Sequence, residues 1–180
     1  MKNAMSLLLV MCLLSGCVNN GYKTVEESML HGEIKYKQIY YKHEVKNGII
    51  VFYEDPYGGL DAGIVYKNNS GYNWGFGGGT AEIPTPETEV SWNWVNLDNN
   101  AKREDRQYQL YFGLIKGQSI TRLHIEHKGK IKYIDKDAEL VDLPDGNKLW
   151  FALQDEYSEY HPGFILNGFN KNGENIVHFE

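Results

Sequence analysis

Cysteine is nearly missing from this chain: only Cys12 and Cys17 occur among 180 residues. No thiol follows Cys17, so the body of the chain can hold no disulfide framework, thiol nucleophile or cysteine-based zinc site. Its stability must come from an ordinary packed core, which a body of this length can supply. Positive charge is also short, with 18 Lys and Arg against 24 Asp and Glu and a formal net charge of −6. The chain has no basic stripe, which makes nucleic acid a poor partner and attraction to an anionic bilayer through charge weak. The apolar run Ala4 to Leu14, broken only by Ser6, falls far short of the ~20 residues a transmembrane helix needs. No Gly-x-Ser-x-Gly elbow is present, which removes the commonest serine-hydrolase signature.

What the N-terminus does have is an ordered set of signals. Lys2 precedes the apolar run, and the small residues Ser15 and Gly16 follow it. These read as the n-region, h-region and cleavage site of a secretory signal. The stretch Leu14-Ser15-Gly16-Cys17 resembles the lipobox of bacterial lipoproteins. That resemblance implies a diacylglyceryl group on the Cys17 thiol, cleavage before Cys17, and anchoring on the extracytoplasmic face of the cell membrane. Two acyl chains are enough for stable attachment, whereas one binds marginally. The expected organisation is therefore a signal peptide over residues 1–16 and an acylated cysteine with a short tether over 17–23. Six extended residues, Val18 to Lys23, reach only about 20 Å.

The remainder favours strands. Thirteen Tyr and four Trp bring the aromatic content to 13%, and Gly occurs nineteen times, a usage suited to strands and turns. Thr24 with Glu27 forms a capping-box pattern, which predicts a short helix from Val25 to about His31 with Gly32 as its stop. Ile39, Tyr41, His43 and Val45 alternate with polar positions up to Asn47-Gly48, the strongest short-range hairpin signal. With that turn, Ile39, Tyr41, His43, Val45, Ile50 and Phe52 share one face, and the helix is its expected cover. Strands at Ala62 to Lys67 and Tyr72 to Gly77 complete a four-strand antiparallel meander over residues 24–79, with Tyr72, Trp74 and Phe76 on one face. Gly77 to Pro86 breaks the pattern as a possible linker.

Residues 80–180 read as a strand-rich, β-sandwich-like unit that can form one domain with the preceding unit. Trp92 and Trp94 alternate with polar residues, and Asp98 to Arg106 is a charged loop. Tyr108, Leu110, Phe112 and Leu114 alternate, and a strand from Ile120 to His127 is the expected partner. Strands at Lys130 to Ile134 and Glu139 to Leu143 follow. Pro144-Asp145-Gly146 and Asn172-Gly173 mark later turns. The fold class is α+β, mostly antiparallel β. Gly48-Ile-Ile-Val-Phe-Tyr53, Ala62-Gly-Ile-Val65 and Tyr111-Phe-Gly-Leu-Ile115, with Ile120 and Leu123 behind the last, resemble small membrane lipoproteins of Gram-positive bacteria that have no assigned activity. The matching residues are apolar, so the resemblance implies a shared fold and transfers no catalytic residue.

Motifs that could carry chemistry are sparse. In His124-Ile-Glu126-His127, a strand puts His124 and Glu126 on one face and His127 on the other, too few converging ligands for zinc from this segment alone. Gly75-Phe-Gly77-Gly78-Gly79-Thr80 has neither the third glycine of a dinucleotide fingerprint nor the lysine of a P-loop. Acid pairs such as Glu54-Asp55 and Asp135/Asp137 abound, but a glycosidase needs two across a cleft. Neither a catalytic residue nor a metal or cofactor site is expected. Trp74, Trp92 and Trp94 are candidate ligand-binding residues for a wall glycan, against the alternative that they fill the core. The expected role is a non-catalytic binding or interaction module in the cell envelope, held to the membrane through lipid on Cys17. Its partner would be an envelope protein. The alternatives are a glycan- or small-ligand-binding lipoprotein and, behind it, an envelope hydrolase.

Overall fold

The computed structural model describes residues 21–85, 88–97, 108–127, 134–154 and 163–180. Within these there are one helix and twelve strands, the strands forming three antiparallel four-stranded sheets. Helix α1 (Val25–His31) starts where the capping box places it. The Glu27 backbone N–H donates to Thr24 Oγ1 at 3.1 Å and the Lys23 N–H donates to Glu27 Oε2 at 2.9 Å. It stops at Gly32 and buries Val25, Ser28 and Met29.

The first sheet is the expected meander: β1 (Gln38–Val45), β2 (Gly48–Glu54), β3 (Leu60–Asn68) and β4 (Gly71–Ala81), in sequence order. Its details depart from the sequence pattern at three places. The β1–β2 turn lies one residue early, at Lys46-Asn47, so Val45 faces Gly48 and His43 faces Ile50. None of these turn residues has a positive φ. Gly48 serves a different need, because a Cβ there would lie 2.2 Å from the Val65 carbonyl oxygen on β3. Next, a bulge between Ile39 and Tyr41 changes which residues share a face. Ile39 joins Ile49, Val51, Tyr53 and Val65 beneath α1, while Tyr40, Tyr41, Val45, Ile50 and Phe52 point the other way. The helix thus covers the face opposite to the one expected. Finally, a shift between Ile64 and Val65, paired with Phe76 and Trp74, separates the β4 aromatics. Tyr72 and Trp74 lie on the helix side and Phe76 on the other.

The second sheet runs β5 (Asn93–Asn96), β6 (Gln109–Ile115), β10 (Lys148–Gln154), β9 (Glu139–Asp142). The third runs β12 (Asn175–Phe179), β11 (Phe164–Phe169), β7 (Arg122–His127), β8 (Asp135–Asp137). The strand from Ile120 to His127 was expected to pair with β6. Instead, residues after β6 cross to the third sheet, where β7 pairs with β11 and β8. The crossover buries Ile120 between the two sheets. The β9–β10 turn at Pro144-Asp145-Gly146 and the β11–β12 turn before Gly173 form as expected, both glycines taking positive φ (85° and 82°). Expected features over 98–106 and 130–133 lie outside the described residues.

The second sheet is the middle layer. Leu110, Phe112, Leu114, Leu149 and Phe151 face the meander, packing on Ile50, Phe52, Leu60, Ala62 and Ile64. Tyr111, Ile115, Trp150 and Ala152 face the third sheet, packing on Leu123, Ile125 and Leu166. Every residue of β6 is buried, the near-continuous burial of a strand covered on both faces. The stack is therefore helix, meander sheet, central sheet, outer sheet. β4 continues to Ala81, through the Gly77–Gly79 stretch read as a break.

Candidate functional site

The aromatic candidates have different surroundings. Trp74 lies across glycines of its own sheet: a Cβ on Gly63 would come within 2.2 Å of its ring and one on Gly77 within 2.6 Å. Its ring also meets Tyr53 edge-on at 6.3 Å. The glycine-rich stretch of β4 thus provides room for a ring. Trp94 is half-buried against the core between the central and outer sheets. Trp92 is 44% exposed and meets Phe164 edge-on at 4.7 Å. The three do not form one platform, since Trp74 lies on the helix side of the meander and the other two border the outer sheet. Cys17 lies outside the described residues, as does the rest of the lipobox.

The structure gathers polar chemistry elsewhere, on the outer face of the outer sheet. Leu123 and Ile125 point into the core, so the alternate residues Arg122, His124 and Glu126 project outward. Strand β8 runs antiparallel beside them, with Asp137 opposite His124 and Asp135 opposite Glu126. His124 is held between two carboxylates: Nδ1 lies 2.9 Å from Asp137 Oδ1 and Nε2 lies 3.0 Å from Asp135 Oδ1. The Arg122 guanidinium donates to Asp137 at 3.3 Å and stacks 3.7 Å above the Phe169 ring. The His124 hydrogen bond, followed by Arg122, holds the Asp137 carboxyl below its ordinary range. Ligand-capable atoms of His124, Glu126 and Asp135 all lie within 4.8 Å of one another.

The sequence contained half of this arrangement. His124 and Glu126 share a face, as the period of two requires. Asp135 and Asp137 have the same spacing, and only the β7–β8 register brings the two pairs together. His43 packs against the core, its ring 4.9 Å from Phe151. A second polar feature had no sequence signal. Asn96, Gln109 and Gln154 stand side by side across β5, β6 and β10, and the buried side-chain oxygens of Asn96 and Gln154 have no hydrogen-bond partner among the described residues. A shallow depression of about 390 Å³ lies beside the β11–β12 turn, lined by Gln118, Ser119, Thr121, Asn170, Lys171 and Ile176 among others. Among the described residues no helix is long and apolar enough to cross a membrane. Comparison with family models, curated proteins and solved structures found no match, so no residue takes its role from a relative.

Proposed function

We propose that this chain is a lipid-anchored extracytoplasmic lipoprotein whose folded body is a non-catalytic binding module of the cell envelope, recognising another envelope protein. The observation that carries the reading is Leu14-Ser15-Gly16-Cys17 placed directly before the fold. The body begins almost at once: Tyr22 and Tyr72 exchange two backbone hydrogen bonds of 2.8 Å. The four residues between Cys17 and Tyr22 reach about 15 Å when extended. Lipid on Cys17 would hold the meander sheet close to the bilayer. Binding is favoured over catalysis by the setting of the acid–base groups. Among the described residues Arg122 and Asp137, which flank His124, are about half exposed, and a catalytic pair works best in a closed, water-excluding site.

Replacing Cys17 with Ser is expected to release the protein from the membrane fraction, and mass spectrometry of the wild-type N-terminus should show the acylated cysteine. A Cys17→Ser protein that still pellets after a carbonate wash would refute the anchor. Crosslinking and pull-down of the lipidated protein from its own envelope should recover a protein partner. A second reading, wall-glycan binding, has one supporting observation: Trp92 is exposed and supported edge-on by Phe164, as a sugar-stacking ring would be. Recovery of a muropeptide alone, lost in Trp92→Ala, would put that reading first.

A further inference from the structure

We infer that His124, Glu126 and Asp135 form a binding site for one divalent transition-metal ion of the zinc class, with Asp137 as the residue that positions His124. A neutral imidazole has one N–H and can donate to only one of two flanking carboxylates. With Asp137 on Nδ1 and Asp135 on Nε2, the other nitrogen presents a lone pair to carboxylate oxygen. That contact is favourable only with a second ring proton on Nε2 or with a cation held there. The donation Nδ1–H to Asp137 is the arrangement that fixes the tautomer of a metal-bound histidine and raises its basicity. It leaves the Nε2 lone pair directed toward Asp135.

The charges fit an ion at that point. Arg122 pairs with Asp137. Glu126 has no hydrogen bond or ion pair among the described residues, and its carboxylate stands within 4.8 Å of both His124 and Asp135 ligand atoms. Two carboxylates and one neutral imidazole balance a doubly charged cation, and imidazole in the set favours zinc-type ions over calcium or magnesium. Tetrahedral ligands at about 2.0–2.2 Å stand roughly 3.3 Å apart. Closing from the observed spacing takes a rotamer adjustment of Glu126, which stands partly exposed on the sheet. Three protein ligands leave the fourth position to water. The site does not depend on the lipid anchor, so failure of either leaves the other standing.

The test is calorimetric titration of the purified full chain, in detergent, with Zn²⁺ at neutral pH, after chelator treatment and its removal. One ion per chain is expected. His124→Ala and Asp135→Asn should each weaken binding at least tenfold, and Asp137→Asn by about tenfold through loss of orientation. Asp135→Asn keeps side-chain size, and matching melting curves in chelator would show that each variant folds. His178→Ala, on the next strand but one, should bind as wild type does. In ¹⁵N-histidine spectra, Zn²⁺ should shift Nε2 of His124 and leave Nδ1 protonated. The inference is overturned by absence of zinc binding, by binding unchanged in His124→Ala, or by an imidazole that stays doubly protonated in the presence of zinc.

Discussion

Phe151 is where the two halves of this chain meet, and removing its ring measures whether they fold as one. Its side chain is wholly buried on the central sheet. Its neighbours are on the meander: the Phe52 and His43 rings at 4.9 Å each and Tyr41 at 6.0 Å. Phe151→Ala deletes that ring from a closed interface, and large-to-small changes of this kind cost about 3–5 kcal/mol. At roughly 2–4 °C per kcal/mol for a chain of this size, the melting point should fall by about 6–20 °C. Fluorotryptophan labelling reports each half separately, with Trp74 on the meander and Trp150 on the central sheet. In urea both ¹⁹F signals should show one midpoint in the wild type, and both should move together in Phe151→Ala. If Trp74 keeps its midpoint while Trp150 moves, the shared core is not a cooperative unit and the halves fold independently. A loss below about 1 kcal/mol would mean that the sheets do not close on Phe151 as described.

Gly48→Ala should destabilise by more than about 2 kcal/mol, because the new Cβ meets the Val65 carbonyl oxygen at 2.2 Å and backbone cannot yield cheaply. Asn47→Ala, at a turn residue without positive φ, should stay within about 0.5 kcal/mol in the same denaturation assay; equal effects would restore the later turn. Acid should weaken the fold through carboxyls whose pKa is lowered on folding. Glu54 is lowered by hydrogen bonds from Lys37 and Gln38, with Tyr40 adding a third, and Glu26 is lowered by Lys42. Such groups contribute stability that is fully present above their unfolded value near 4.3 and lost as pH falls through the folded one. Glu54→Gln should therefore flatten the stability profile between about pH 5 and 3, and an unchanged slope would show that its three donors do not act in solution.

The parts of the fold written in local sequence were legible, and those set by long-range pairing were not. Thr24, Glu27 and Gly32 mark the ends of α1 because capping is settled within one turn. The meander order follows from short turns between alternating strands. The faces of that meander were not legible, because one bulge at Tyr40 changes which β1 residues point together. Nor was the partner of β7: hydrophobic alternation is the same whether a strand pairs with its predecessor or crosses to another sheet. The cluster around His124 shows the same limit. Its two i, i+2 pairs were visible separately, and their convergence depends on the β7–β8 register, which no residue between them announces.

The layered stack also keeps the two proposals apart. Tyr22 joins the meander at Tyr72, so the proposed lipid on Cys17 would act on the layer that α1 covers. His124 stands on the outer sheet, with the central sheet between them. Packed sheets lie about 10 Å apart, which puts some 20 Å of core between the meander and outer layers. Groups so far apart without shared partners contribute independently. Cys17→Ser should then leave zinc affinity unchanged, and chelator should leave membrane attachment unchanged. Coupling between them in either direction would require the central sheet to shift, and a residue such as Phe151, packed between sheets, is where such a shift would have to pass.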